Sequence, residues 1–365
     1  MVIPSKPYLK IFNLFNFKKS ISIDGYTFFS NGRDALFHAC KGSNISKGDY
    51  LIVPSYICKT FLEPIMSEGI KIEFIDIDNN LKIPLCEFES AIKKNSKIKG
   101  VILVDYFGYQ IDQSDLIKAC KENNIISFLD YSHSVFAALS YKKKLKPDFI
   151  IMSARKTLPS LDGGILISSK RDTQKQIQHN SFNLYEIKFY FFKKIEQILQ
   201  IFRVNLYSKN IDRLRTFIGK IEITNDNNNL NFKPITPSNV LINYIANPEC
   251  LKELMTKHRE NYILLEQSSK DLKKPFGQII NKDSYPQSFL ILDESNKLKD
   301  FLRERSIGAS YWPFNEIPDE VMQRELDFPN TMLFAKKIVH IPIHFSLNNK
   351  HIEKIKKTLS RFYEK

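Results

Sequence analysis

Asp130 and Lys156 are the two residues of this sequence whose types and positions suggest chemistry. Asp130 opens the segment 130–134 (DYSHS) directly after an apolar run, and Lys156 follows the next apolar run 26 residues later. A lysine amine can attack a carbonyl group or carry a proton, and a nearby carboxylate can stabilise positive charge. Most aspartates and lysines are surface groups, so the pair gains meaning from its surroundings. Gly163, Gly164 and another apolar run follow the lysine.

A series of apolar runs indicates the elements that would position these two residues. Most of the runs are continuous, and amphipathic segments such as 114–123 lie between them. This pattern is typical of a buried, mainly parallel sheet covered by helices. Such sheets bind ligands at the carboxyl ends of their strands, so polar residues just after each run are site candidates. The runs are 50–53, 70–77, 101–105, 125–130, 149–152 and 164–167.

The C-terminal part of the sequence predicts a second, smaller unit. An asparagine-rich tract at 225–231 has the composition of a loop or domain boundary. We therefore predict an N-terminal arm and large domain over 1–230, and a small α+β domain over 231–365. The elements predicted for the small domain are helices 250–268, 296–305 and 350–363 and strands 288–292 and 339–343.

The composition excludes some classes of protein and favours anionic partners. Of 365 residues, 43% are hydrophobic and 26% charged, which excludes wholesale disorder, and the net charge is +14. Residues 1–19 carry no continuous apolar segment, and the uncharged stretch 234–248 holds three prolines, so we expect a soluble cytoplasmic protein. No CxxC occurs, so we predict neither a metal site nor disulfides. The cysteines are Cys40, Cys58, Cys86, Cys120 and Cys250.

Several short motifs, in order along the chain, resemble one enzyme family. They resemble the sugar aminotransferases of the DegT/DnrJ/StrS family, which are fold-type-I enzymes that use pyridoxal 5′-phosphate (PLP). The resemblance covers about 20–170 well and 290–360 loosely, while 171–285 matches poorly. The motifs are 53–56 (VPSY), 104–112 (VDYFGYQID), 130–134, 153–159 (SARKTLP), 307–308 with 312–313, and 341–344 (IPIH).

The resemblance implies a role for each residue of the pair and for one helix start. Lys156 would be the Schiff-base lysine that holds PLP and moves a proton, with a pKa lowered by burial and by Arg155. Asp130 would contact the pyridinium nitrogen of PLP. Gly32 and the amides after it would receive the phosphate at a helix N-terminus, and Arg33 would add charge there or only begin the helix.

The sequence departs from the family pattern at other positions. His133 stands where the family usually has Gln near the PLP ring hydroxyl, and it is either that contact or a packed histidine. Ser153 would bind phosphate, although the family's serine position is held by Ile151. Cys58 stands near the family's ring-stacking aromatic and cannot stack, which leaves Tyr56 as the substitute.

The resemblance further implies a homodimer that transfers an amino group from glutamate to a keto group of a nucleotide-activated sugar used in surface polysaccharides. Two alternatives stay open: a PLP- or PMP-dependent sugar dehydratase, which we expect to lack the lysine, and a sensor that has lost catalysis. The partner subunit's phosphate ligand would correspond to Ser238 or Asn239, and Tyr311 stands near the family's small-domain histidine.

The segment 186–220 offers a separate hypothesis. It holds eight Lys or Arg residues against three acids, interleaved with aromatic and aliphatic side chains at roughly helical spacing. Such a segment can lie on an anionic membrane or bind single-stranded nucleic acid. We expect instead a helical pair packed on the large domain or at a dimer interface, and no nucleic-acid motif is present.

Overall fold

A computed structural model describes residues 1–7, 25–139, 146–160, 163–168, 241, 244–245, 247–269, 272–275, 284–313 and 316–364. The predicted boundary at 230/231, the basic segment 186–220, and the residues Ser238 and Asn239 lie outside these ranges. Within them, no helix combines the length and the apolar character needed to cross a membrane.

The large unit is built on a sheet of seven strands among the described residues, in the spatial order β1-β7-β6-β5-β4-β2-β3. Strands β2 to β6 all run parallel to one another, whereas β7 is antiparallel to both of its neighbours, β6 and β1. The mostly parallel sheet predicted from the apolar runs is confirmed. The strands are β1 Tyr26–Phe29, β2 Tyr50–Pro54, β3 Lys71–Ile75, β4 Ile98–Val104, β5 Ile126–Asp130, β6 Phe149–Ser153 and β7 Gly164–Ser168.

Helices between the strands cover both faces of this sheet. Leu51 and Val53 pack into one core and Ile52 into another, because successive side chains of a strand point to opposite faces. Burial on both faces explains why the strands have continuous apolar sequences. The helices are α1 Gly32–Gly42, α2 Lys59–Ser67, α3 Leu85–Lys94, α4 Ser114–Glu122 and α5 Val135–Leu139.

The small unit pairs two antiparallel strands and packs helices around them, as the sequence predicted. Its predicted helix and strand ranges agree with the structure to within two residues at each end. The N-terminal residue Ile3 also belongs here, because it forms a β-bridge with Ile307. The elements are β8 Ser288–Leu292, β9 Ile338–Pro342, α6 Pro248–Gln267, α7 Leu298–Glu304, α8 Asp319–Gln323, α9 Pro329–Lys337 and α10 Asn349–Tyr363.

Hydrogen bonds join the two units at the start of α9. The Asp76 carboxylate, just after β3, accepts from the Asn330 amide at 2.9 Å and from the Thr331 hydroxyl at 2.8 Å. The Asn330 side chain donates to the carbonyl of Ile77 at 2.8 Å. A carboxylate at a helix N-terminus satisfies amides that have no partner within the helix. These contacts hold the second unit against the carboxyl ends of the parallel strands.

Candidate active site

The sheet brings Asp130 and Lys156 to the same edge. Asp130 is the last residue of β5 and pairs with Ile151 of the adjacent parallel strand β6. Lys156 ends the 3-10 turn Ala154–Lys156 that follows β6 directly. Because carboxyl ends of neighbouring parallel strands meet at one edge, the two side chains converge.

Asp130 is a buried carboxylate held by its own loop. The Ser132 amide donates to Oδ1 of Asp130 at 2.8 Å. Burial raises the pKa of Asp130, while the charge of Lys156 and the Ser132 hydrogen bonds oppose this shift. The carboxylate is therefore fixed in orientation and depends on a cation to stay ionised.

Lys156 contacts His133 and interacts electrostatically with Asp130. The distance between Lys156 Nζ and His133 Nε2 is 3.1 Å. Burial lowers the pKa of Lys156, and the Asp130 charge opposes that shift. Burial, followed by the charge of Lys156, lowers the pKa of His133 well below its usual value. The imidazole is thus neutral near pH 7 and shares a hydrogen bond with the lysine amine through Nε2.

Phe107 supports His133 from the other side. Its ring stacks on the imidazole with 5.1 Å between centroids, and the edge of Trp312 meets both rings. Phe107 has φ of +57°, a left-handed conformation that costs a residue with a side chain about 1–3 kcal/mol. Sequence analysis placed Phe107 in the motif 104–112 but did not assign it to the site, since stacking on His133 depends on the fold.

Gly32 begins α1 and packs closely against Ser132 and Ser153 at the helix N-terminus. A β-carbon added there would lie 3.3 Å from Ser132 Oγ and 3.4 Å from Ser153 Cβ. The hydroxyl of Ser132 is buried without a hydrogen-bond partner among the described residues. The structure thus brings the predicted residues Gly32 and Ser153 together and adds Ser132, which sequence analysis did not assign.

Two other predicted residues face elsewhere. The guanidinium of Arg33 lies 3.9 Å from the carboxylate of Glu63 on α2. The ring of Tyr56 is fully buried, and its hydroxyl donates to the carbonyl of Trp312 at 2.8 Å. Aromatic side chains, Tyr106 and Trp312 among them, surround the Tyr56 ring, and its role as a stacking aromatic stays a prediction. The Sγ atom of Cys58 lies 2.9 Å from the Thr60 hydroxyl.

A cavity of about 350 Å³ lies between the two units. Lys156, His133 and Phe107 line its large-unit side, and His340 and Tyr311 line the opposite side. The pKa of His340 is lowered to about 3 by burial, and its Nε2 has no hydrogen-bond partner in the described part of the chain. Among the described residues, the cationic side chains Lys6 and Arg303 line this cavity, and no carboxylate does.

Comparisons with known proteins identify relatives of this chain. Residues 18–188 match the model of the DegT/DnrJ/EryC1/StrS aminotransferase family. The GDP-perosamine synthase of Escherichia coli O157:H7 is 25% identical over 42% of this chain and 43% of its own length. A Campylobacter jejuni protein, UDP-4-amino-4,6-dideoxy-N-acetyl-beta-L-altrosamine transaminase, is 28% identical over 41% of this chain and 40% of its own. The matches thus span under half the length of these curated relatives.

A solved structure extends the similarity of fold to the whole chain. The Helicobacter pylori aminotransferase PseC, involved in pseudoaminic acid biosynthesis, superposes with a TM-score of 0.66. At 15% identity, the comparison covers 100% of this chain and 99% of that one. The fold-type-I architecture expected from the resemblance is confirmed. By sequence, the similarity to the DegT/DnrJ/EryC1/StrS aminotransferase family lies in residues 18–188.

Proposed function

We propose that this chain is a PLP-dependent aminotransferase that moves an amino group from glutamate to a keto group of a nucleotide-activated sugar. The observation that carries the proposal is the half-buried Lys156, whose amine lies 3.1 Å from His133 Nε2 and interacts electrostatically with the carboxylate of Asp130. The family match supports the reaction class. We further propose a cytoplasmic homodimer that serves surface polysaccharide assembly, as the resemblance implies.

The residues present fit PLP. The main-chain amides at the N-terminus of α1, next to the hydroxyls of Ser132 and Ser153, would bind the phosphate. Asp130 would hold the ring nitrogen. Nδ1 of His133, like Oγ of Ser132, is a buried polar atom without a hydrogen-bond partner in the ranges that the structure describes. Buried polar atoms of this kind require a polar ligand group.

The geometry assigns distinct tasks to the side chains. When bound, PLP supplies an electron sink for the carbon that carries the amino group. Burial lowers the pKa of Lys156, which favours the neutral amine that could accept a proton from that carbon. His133 orients the amine through Nε2. Asp130 keeps a negative charge beside the ring nitrogen, fixed by the Ser132 amide.

The cavity favours an anionic substrate that carries hydroxyl groups. Its described lining has two cationic side chains, Lys6 and Arg303, and no carboxylate. The neutral imidazole of His340 and the hydroxyl of Ser310 add uncharged hydrogen-bonding groups. This combination suits a sugar attached to a diphosphate.

Covalent labelling of Lys156 tests the proposal. Borohydride reduction of the PLP-loaded protein should remove the visible chromophore and leave a phosphopyridoxyl group on Lys156 in the peptide map. Lys156→Ala should lose the label. Lys82→Ala, which removes an exposed lysine paired with Asp115, should keep it.

Addition of glutamate without sugar then separates transamination from the alternatives. A transaminase releases 2-oxoglutarate in this half-reaction, because the amino group is stored before the second substrate arrives. If glutamate, glutamine and other common amino acids leave the spectrum of the loaded protein unchanged, a non-catalytic binding role replaces the transferase. The presence of Lys156 already argues against a dehydratase of the kind that lacks this lysine.

A further inference from the structure

Residues 285–287 form a short connection that we call the interdomain clasp. It leads into β8 of the small unit and runs along the active-site loop of the large unit. The amide of Tyr285 donates to the carbonyl of Gly108 at 3.0 Å, and the amide of Gln287 donates to the carbonyl of Phe107 at 2.6 Å. The clasp therefore holds the left-handed backbone that aims Phe107 at His133.

The clasp also reaches the lysine itself. The side-chain amide of Gln287 donates to the main-chain carbonyl of Lys156 at 3.1 Å. The main chain of Gln287 thus bonds to Phe107, whose ring stacks on His133, and its side chain bonds to the carbonyl of Lys156. Gln287 is therefore linked to both partners of the Lys156–His133 contact. It lies in the cavity wall, so it also stands between the two units.

The clasp is itself held in place. The imidazole of His258, on α6, contacts the carbonyl of Pro286 through Nε2. At Gly108, an added β-carbon would lie 2.1 Å from the Tyr285 carbonyl oxygen, so the two main chains are in close contact. A rigid support of this kind can transmit the position of the small unit to the residues it bonds.

We propose that Gln287 is a positioning residue for Lys156, which couples the seating of the small unit to the orientation of the lysine amine. The proposal rests on the proposed function, in which Lys156 is the reactive amine. Nothing in Gln287 exchanges protons or touches the reacting atoms. It acts through the main chain from which the lysine side chain extends, and small displacements of a reactive group cost large factors in rate.

Gln287→Met tests this role, because methionine has similar length and no hydrogen-bond donor. The control is Asn330→Ala, which removes another side-chain bond from the small unit to a main-chain carbonyl of the large unit, that of Ile77. Three quantities are measured on full-length protein: thermal stability, the rate at which glutamate changes the spectrum of the PLP-loaded form, and the pH midpoint of that spectrum.

We expect Gln287→Met to slow the glutamate reaction by about tenfold or more, and Asn330→Ala to leave it within about twofold. The pH midpoint should rise in Gln287→Met only, because water that reaches a less restrained Lys156 nitrogen favours its protonated, charged form. Equal effects of the two variants on rate and midpoint, or a loss of thermal stability in Gln287→Met with neither change, would overturn the proposal.

A measurement without cofactor separates this inference from the proposed function. The pH dependence of Lys156 modification by trinitrobenzenesulfonate, read by peptide mapping in apo protein, reports the amine directly. A higher midpoint in Gln287→Met than in wild type and Asn330→Ala supports the positioning role even if wild type never binds PLP covalently. Identical midpoints in all three proteins overturn it, whatever the cofactor experiments show.

Discussion

The carboxylate of Asp130 is the side chain whose loss should be most informative. It is buried, fixed by the Ser132 amide at 2.8 Å, and close enough to Lys156 for each charge to shift the other's pKa. Asp130→Asn keeps the shape and removes the charge. We expect cofactor binding to survive and the glutamate half-reaction to slow by about 100-fold or more, the usual scale for losing an electrostatic partner of the reaction.

Stopped-flow absorbance and release of 2-oxoglutarate measure this effect. Asp115→Asn serves as the control, since that carboxylate forms an exposed ion pair with Lys82 on the surface. If Asp130→Asn reacts as fast as wild type, the reaction class stands but Asp130 is not its electrostatic partner.

Asp130, His133 and Lys156 could be proposed for the site from the sequence because each lies just after a strand, in a segment with a recognisable pattern. Phe107 and Gln287 were not assigned, for a physical reason. The bond between Gln287 and Lys156 joins positions 131 residues apart, and only the packing of the small unit brings them together. For Tyr56, nothing in the local sequence shows that Tyr106 and Trp312 surround its ring.

At the scale of elements, the loop 106–108 is the most constrained connection of the site. Gly108 has φ of +80°, and a β-carbon there would lie 2.1 Å from the carbonyl oxygen of Tyr285. Gly108→Ala combines a left-handed conformation with a main-chain clash. We expect it to destabilise the protein by more than about 2 kcal/mol.

Urea unfolding of Gly108→Ala and of a matched control variant checks this expectation. Gly42→Ala is the control, because it ends helix α1 and a β-carbon there meets no atom within 4 Å among the described residues. It should change the free energy of unfolding by less than about 1 kcal/mol. If Gly108→Ala is equally mild, the close contact between loop and clasp does not limit the fold.

Elements were predicted well where apolar periodicity was strong and less well where tertiary contacts define them. The run 70–77 became the shorter strand Lys71–Ile75, because pairing with β2 ends there. The 3-10 turns Tyr106–Gly108 and Ala154–Lys156 have no apolar period and were not predicted. The bridge from Ile3 to Ile307 joins opposite ends of the chain, so no local pattern could predict it.

For the whole molecule, buried histidines should make stability depend on pH. Burial lowers the pKa of His258 to about 4, and that of His340 and His344 to about 3. The unfolded chain binds these protons near pH 6.5, and the folded chain does not. Stability should therefore be full above pH 6.5 and fall with decreasing pH, by about 1.4 kcal/mol per pH unit for each histidine.

Asp130 and Asp34, two carboxyl groups whose pKa values are raised by burial, oppose this trend. Burial raises the pKa of Asp34 to about 6, so the folded state binds its proton more tightly and gains stability as pH falls from 6 towards 4. Urea unfolding at pH 7.5, 6 and 5 should still show a net loss. His258→Gln should reduce the fall in unfolding free energy with decreasing pH by the share of one histidine, about 1.4 kcal/mol per pH unit. An unchanged pH dependence would mean that His258 is protonated in the folded state.

The cavity has two walls that come from different parts of the fold. Lys156 and His133 belong to the large unit, whereas residues 308–312 and 340–344 belong to the small one. The lysine amine and most of the lining opposite it thus come from separate stretches of the chain. Substitutions in the second wall should therefore change which molecule the cavity accepts while Lys156 and His133 keep their contact.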